Sequence, residues 1–173
     1  MRAAKGTISV FTFKDGILAR AAHDLALRLD RFEIALDGDR VTAMLPLDAL
    51  SVIGPVEGGV VRTDRYDDAQ RAEVEQTMHA EILRTAHHPK AHFSGRAIPQ
   101  GAGFEVSGQL ELSGRTATLS FDVHRDGEVY RARFEIPPSR WGIAPYKALM
   151  GAIKLKDIVR IELALSDAST SDD

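Results

Sequence analysis

AHFSGRAIPQGAGFEVSGQLELSGRTATLSFDVHRDGEVYRARFEI, residues Ala91 to Ile136, alternates apolar and polar residues almost without a break. Phe104, Val106, Gly108, Leu110 and Leu112 fall on one side, with Glu105, Ser107, Gln109 and Glu111 on the other. The pattern resumes with Ala117, Leu119, Phe121 and Val123, and again with Tyr130, Ala132, Phe134 and Ile136. A period of two is the strand period, because successive side chains on a pleated backbone point to opposite faces. Asp126-Gly127 between two such runs is a strong hairpin signal, since a tight I′ turn needs positive φ at both central positions. The stretch therefore reads as an antiparallel meander with one apolar face.

Its register follows from the turns. The spacing predicts two-residue turns at Gly114-Arg115 and Asp126-Gly127, and a four-residue loop from Pro99 to Ala102. Gly108 then faces Phe93 on one side and Phe121 on the other, and Phe121 faces Ala132. A slip by one residue would turn a whole strand's apolar set outward. The row Phe93, Gly108, Phe121, Ala132 alternates large and small. The other inward residues of the face are Phe104, Val106, Leu110, Leu119, Tyr130 and Phe134.

The rest of the chain must supply what buries that face. Thr7 to Phe13 reads as a strand, closed by a turn at Lys14-Asp15-Gly16, and Ile17 to Leu29 contains a second strand. There Leu25, Leu27 and Leu29 are in phase, whereas Phe32, Ile34 and Leu36 occupy even positions, so a bend or bulge is expected near Asp30-Arg31. Asp37-Gly38-Asp39 is another hairpin signal, leading into Val41, Ala43, Leu45 and Leu47. From about residue 64 to 84 the period changes to that of a helix, with Val74, Met78 and Ile82 forming its apolar stripe. His88-Pro89 ends it. Ser139-Arg140-Trp141 reads as a plug at a barrel end, and Val159, Ile161, Leu163 and Leu165 as a closing strand. Residues 1–166 form one expected domain, followed by a polar, acidic tail at 167–173 expected to be disordered. About eight strands with one helix and no βαβ alternation predict a mainly β, antiparallel barrel with the helix across one end.

Composition excludes several functions. The 173 residues carry a formal net charge of −3, which argues against a general nucleic-acid binder. No run of about 18 apolar residues suggests a membrane span. The chain has no cysteine, which removes disulfides, thiolate nucleophiles and cysteine-ligated zinc. MRAAKGTISVFTF runs straight into a strand pattern without an apolar leader core, so the expected location is cytoplasmic. His87, His88 and His92 cluster in sequence but match no known metal spacing, and the reading without a metal has them capping or facing solvent. His23 and Asp24 are neighbours in a strand and point to opposite faces, so Asp24 cannot orient that imidazole; a buried structural histidine is expected. No nucleophile elbow, phosphate loop or dinucleotide fingerprint is present. No catalytic residue, metal or cofactor is expected; the rival reading is a small-molecule enzyme or metal protein that uses His23 or the group His87, His88 and His92. The apolar face has two open readings, a filled core and a ligand cavity, because eight strands sit at the size where either occurs. In the filled reading the chain is a structural or interaction barrel, with dimerisation through the polar outer face of Thr7, Thr116, Thr118 and Ser120.

Several segments together resemble a known family. Arg71 to Phe93, with a helix, Pro89 and Phe93, is similar to the helix-to-strand junction of the YceI-like family. Val106 to Val123 resembles that family's central meander, and Ser139 to Ile143 its segment after the following strand. Ala22-His23-Asp24-Leu25 resembles the HDL motif of a branch without a signal peptide, while His88 stands where the family often has tyrosine. The resemblance covers about residues 8 to 165. It implies an extended lipocalin-like barrel that holds a hydrophobic or amphipathic molecule, such as an isoprenoid or lipid, without catalysis. Its cavity would be lined by Phe93, Phe104, Val106, Gly108, Leu110, Leu119, Phe121, Tyr130, Ala132 and Phe134.

Overall fold

Strand β1 (Arg2–Asp15) opens the chain, and the last strand of this computed structural model returns to pair with it. The structure describes residues 2–15 and 23–168. Gly16, the start of the strand expected from Ile17, and residues 169–173 of the expected tail lie outside the described residues. Lys14 and Asp15, expected in a turn, continue β1.

After β2 (Asp24–Leu29) the chain bends and continues as β3 (Glu33–Asp37), so the phase change in the sequence marks a real corner. Asp30 holds that corner. Its backbone N–H donates to Ala49 O at 3.0 Å. Its carboxylate accepts from Arg28 Nε and Ser51 Oγ, each at 2.6 Å. The partner layer breaks at the same level. There β4 (Arg40–Pro46) gives way to a short 3-10 turn, Leu47–Ala49, before β5 (Leu50–Glu57) and the two-residue β6 (Val60–Val61).

The meander follows as β7 (Lys90–Gln100), β8 (Gly103–Leu112), β9 (Arg115–Asp126) and β10 (Val129–Ile136). A short β11 (Lys147–Ala148) precedes β12 (Ile153–Asp167). β1 pairs with β12, and the wall runs on through β10, β9, β8, β7, β4 and β3 back to β1, closing an eight-stranded antiparallel barrel. Ala4 faces Asp167, so β12 reaches one residue into the segment expected to be tail.

The meander faces are those read from the sequence, but each register differs by two residues. The turns are Gly101-Ala102, Ser113-Gly114 and Gly127-Glu128, flanked by the pairs Gln100↔Gly103, Leu112↔Arg115 and Asp126↔Val129. Ser113 and Gly114 both take positive φ, 50° and 75°, as a I′ turn demands, and Ser113 accepts that strain despite its Cβ. A shift of two residues preserves every face. It changes the neighbours: Phe93 faces Leu110, Gly108 faces Gly95 and Leu119, and Phe121 faces Val106. The expected row Phe93, Gly108, Phe121, Ala132 therefore does not form.

Gly95 and Gly108 are opposed in the β7–β8 ladder. A Cβ on Gly108 would lie 2.3 Å from Ser94 O and 2.4 Å from Gly95 Cα. Its missing side chain is a condition of strand contact, not a space left for a ligand.

The helix α1 (Asp68–Thr77) starts one residue after Asp67, which forms a reciprocal capping box with Gln70. It continues as a π turn, Met78–Ile82, closed by Leu83 N–H donating to Met78 O at 2.9 Å. One inserted residue advances the apolar stripe. Val74 and Met78 of the expected stripe pack with Leu27 and Val52, but Leu83 joins them where Ile82 was expected. Arg84 then takes φ 51° and ends the helix before His88-Pro89. No helix among the described residues is long and apolar enough to cross a membrane.

Two predictions follow from these contacts. Gly108→Ala should destabilise the fold by about 1–3 kcal/mol, the usual cost of overpacking, read as a lower urea midpoint. Burial alone would raise the Asp30 carboxyl pKa, but the Ser51 hydroxyl and Arg28 outweigh it and hold it below the ordinary value. Such a depressed pKa contributes stability that is complete above the unfolded-state value and is lost as pH falls through the folded-state value. Asp30→Asn should thus melt lower than wild type at neutral pH, and the gap should close in strong acid.

Candidate functional site

The inward face of the barrel is built by alternation alone. β8 contributes Phe104, Val106, Leu110 and Leu112, β9 Ala117, Leu119, Phe121 and Val123, and β10 Tyr130, Ala132, Phe134 and Ile136. β12 completes this side, with Ala132 paired to Leu163 and Phe134 to Ile161. Phe121 stacks on Phe134 at 4.2 Å between ring centroids, and Phe93 tilts against Phe121 at 6.3 Å. Phe104 and Tyr130 form a second aromatic pair at 6.1 Å. The sequence-predicted lining residues thus share one face, with Gly108 contributing backbone only.

One end of this lumen is sealed. Trp141 is 1% exposed, packs with Leu47, Leu110 and Ile136, and donates its indole N–H to Leu110 O at 2.8 Å. Ser139 fixes the segment by hydrogen bonds from its amide and its hydroxyl to the Asp157 carboxylate. This is the plug expected from the sequence.

The helix has a more specific task than covering an end. Beyond the corner, β5 pairs with β2, and near Leu50 and Val52 its other edge meets side chains of the helical segment. Glu75 Oε1 accepts from Val52 N–H at 2.7 Å, and His79 Nε2 lies 3.0 Å from Leu50 O. A carbonyl only accepts, so the His79 proton sits on Nε2. Two side chains of the helical segment thus satisfy backbone groups that a neighbouring strand would otherwise satisfy.

Along the wall the inward side chains differ in burial. Val106, Leu110 and Ala132 are buried, while Leu119, Phe121, Val123, Phe134, Ile161 and Leu163 are only half-buried although they point inward. Inward side chains of a filled core would lose nearly all their surface to neighbours. No polar or charged residue among those described is buried.

The histidines are not assembled. His23 is exposed, contrary to the buried position expected, and its ring meets Tyr66 edge-on at 6.5 Å. Strand alternation brings its outward neighbour Asp24 to Lys14, whose backbone N–H donates to Asp24 Oδ1 at 2.8 Å. His92 is exposed on the outer face of β7, and His88 lies over the Ser113-Gly114 turn. Among the described residues no three His, Asp or Glu side chains converge as a metal site.

The geometry is shared with several solved proteins. Burkholderia cenocepacia BcnA is similar at a TM-score of 0.63 and 14% identity, over 92% of this chain and 94% of that one. A polyisoprenoid binding domain from Saccharophagus degradans, implicated in plant cell wall breakdown, is similar at 0.60 and 11% identity, covering 94% and 95%. The Campylobacter jejuni YceI protein reaches 0.56 at 8% identity, covering 84% and 85%. At these identities the likeness concerns the fold. No curated protein matches the chain. The family model described as the YceI-like domain matches residues 18–166, and with the barrel, the plug and the helix in place the chain belongs to that family.

Proposed function

We propose that the barrel binds a hydrophobic or amphipathic small molecule, isoprenoid or lipid-like, with its apolar part in the lumen and without chemical change. The observation that carries this reading is the half-buried state of Leu119, Phe121, Phe134 and Leu163 on an inward, wholly apolar stretch of wall. An apolar chain laid against such surface gains about 25 cal/mol for each Å² it removes from water. It needs no charged partner, and the wall around Leu119, Phe121, Phe134 and Leu163 is apolar. Acid–base catalysis would need polar groups placed beside a bound substrate, and the wall around these residues is built of Leu, Ile, Val and Phe. The polyisoprenoid-binding relative makes an isoprenoid the first ligand to try.

Leu119→Trp should fill the lumen between Gly108 and the Phe121–Phe134 stack, whereas Ser120→Trp places the same ring on the outer face. Native mass spectrometry of freshly purified protein, followed by titration of delipidated protein with geranylgeraniol, checks this. Wild type and Ser120→Trp should bind, and Leu119→Trp should bind about tenfold more weakly or worse, a difference of about 1.4 kcal/mol. Equal binding by all three would move the site out of the lumen. No binding of geranylgeraniol or of a fluorescent fatty acid by folded wild type would favour a structural barrel instead.

A further inference from the structure

A pocket of about 800 Å³ lies on the outside of the wall, between the outer faces of β1, β12 and β10 and the β5–β6 hairpin. Its floor is aromatic. Ile8 and Val10 pack into the core, so Phe11 and Phe13 of the same strand point outward. Both are nevertheless half-buried.

Arg160, opposite Phe11 in the β1–β12 ladder, lays its guanidinium 4.5 Å from the Phe11 ring centroid and 5.4 Å from that of Phe13. A second guanidinium, Arg133, stands opposite Glu162. Glu162 Oε1 lies 3.0 Å from Arg160 Nε and 3.5 Å from Arg133 Nε, so one carboxylate serves two cations. The Arg160 Nε–H is buried and not aligned into a hydrogen bond. The other carboxylates nearby are Glu135, which stands opposite Arg160 in the β10–β12 ladder and is exposed, and Glu57 and Asp24 of the pocket lining. Glu57 is matched by Arg62 and Arg65 at 3.5 and 3.4 Å, and Asp24 is engaged with the Lys14 backbone.

A recess with two aromatic rings and a pair of arginines that share one carboxylate suits a flat anion. We propose that this outer pocket is a second binding site, separate from the lumen, for a small aromatic or conjugated carboxylate. The ring of the ligand lies along Phe11 and Phe13, and its carboxylate takes charge-assisted hydrogen bonds from Arg133 and Arg160. Glu162 sets the strength of the site, because it competes with the ligand for both guanidinium groups.

The test is isothermal titration of the full chain with 2-naphthoate and with the neutral 2-acetonaphthone, folding being checked by circular dichroism. Naphthoate should saturate one site, and the neutral analogue should bind about tenfold more weakly or not at all. Arg133→Gln should cost about tenfold and Glu162→Gln should strengthen binding, opposite effects that a merely structural loss would not produce. Leu119→Trp should leave naphthoate binding unchanged. Failure of naphthoate to saturate wild type, equal binding by wild type and Arg133→Gln, or loss on Leu119→Trp would each overturn the proposal. The last result would place the anion in the lumen, and none of the three depends on whether an isoprenoid binds.

Discussion

The pairing of β1 with β12 is the constraint on which the rest depends. Their ladder runs from Ala4↔Asp167 to Asp15↔Lys154, with one irregularity between Thr12 and Lys14. It joins the two ends of the described chain and turns a long meander into a closed wall. Without it, β1 and β12 would each present a free edge, and the inward faces of β8, β9 and β10 would form one side of an open sheet. Closure makes the apolar face an interior. Because β12 also pairs with β10 over Tyr130 to Ile136, it sets the aromatic residues of β10 against the aliphatic ones of β12.

A closed wall of this kind still has weak places, and the chain treats each differently. The corner at Asp30 is fixed by a carboxylate serving one arginine and one hydroxyl. The edge of β5 is satisfied by Glu75 and His79 from the helical segment. The end near Leu110 is stopped by Trp141, whose indole nitrogen reaches a strand carbonyl. Polar groups thus close the barrel, and the wall around Leu119, Phe121, Phe134 and Leu163 is left apolar. Such a stretch of wall suits the apolar chain proposed as its ligand.

The faces of the meander were legible because side-chain alternation survives any even shift of register, as Gly108 shows by facing Leu119 instead of Phe121. The exact turns were not. Gly114 can occupy either central position of a two-residue turn, and the positive φ of Ser113 has no signal in residue type. The π turn was equally hidden, because Ile82 and Leu83 are both apolar and only the inserted residue decides which packs inward. Gly108 looked like room for a ligand, since a missing side chain reads the same whether a cavity or a neighbouring backbone requires it. The outer pocket did leave a trace: Phe11 and Phe13 stand out of phase with Ile8 and Val10, and large apolar residues on both sides of a strand mean that both sides are covered. What the sequence could not supply was the long-range partner, Arg160, separated from them by most of the chain.

The central claim is that the space between Leu119, Phe121, Phe134 and Leu163 receives the apolar part of a ligand. Paramagnetic broadening of methyl resonances by geranylgeraniol carrying a nitroxide at its tail tests it most directly. The account predicts that the inward methyls of Leu119, Val123, Ile161 and Leu163 broaden most while the exposed Val60, Ile98 and Ile158 stay sharp. Broadening confined to those outer methyls, with the inward set unchanged, would contradict it.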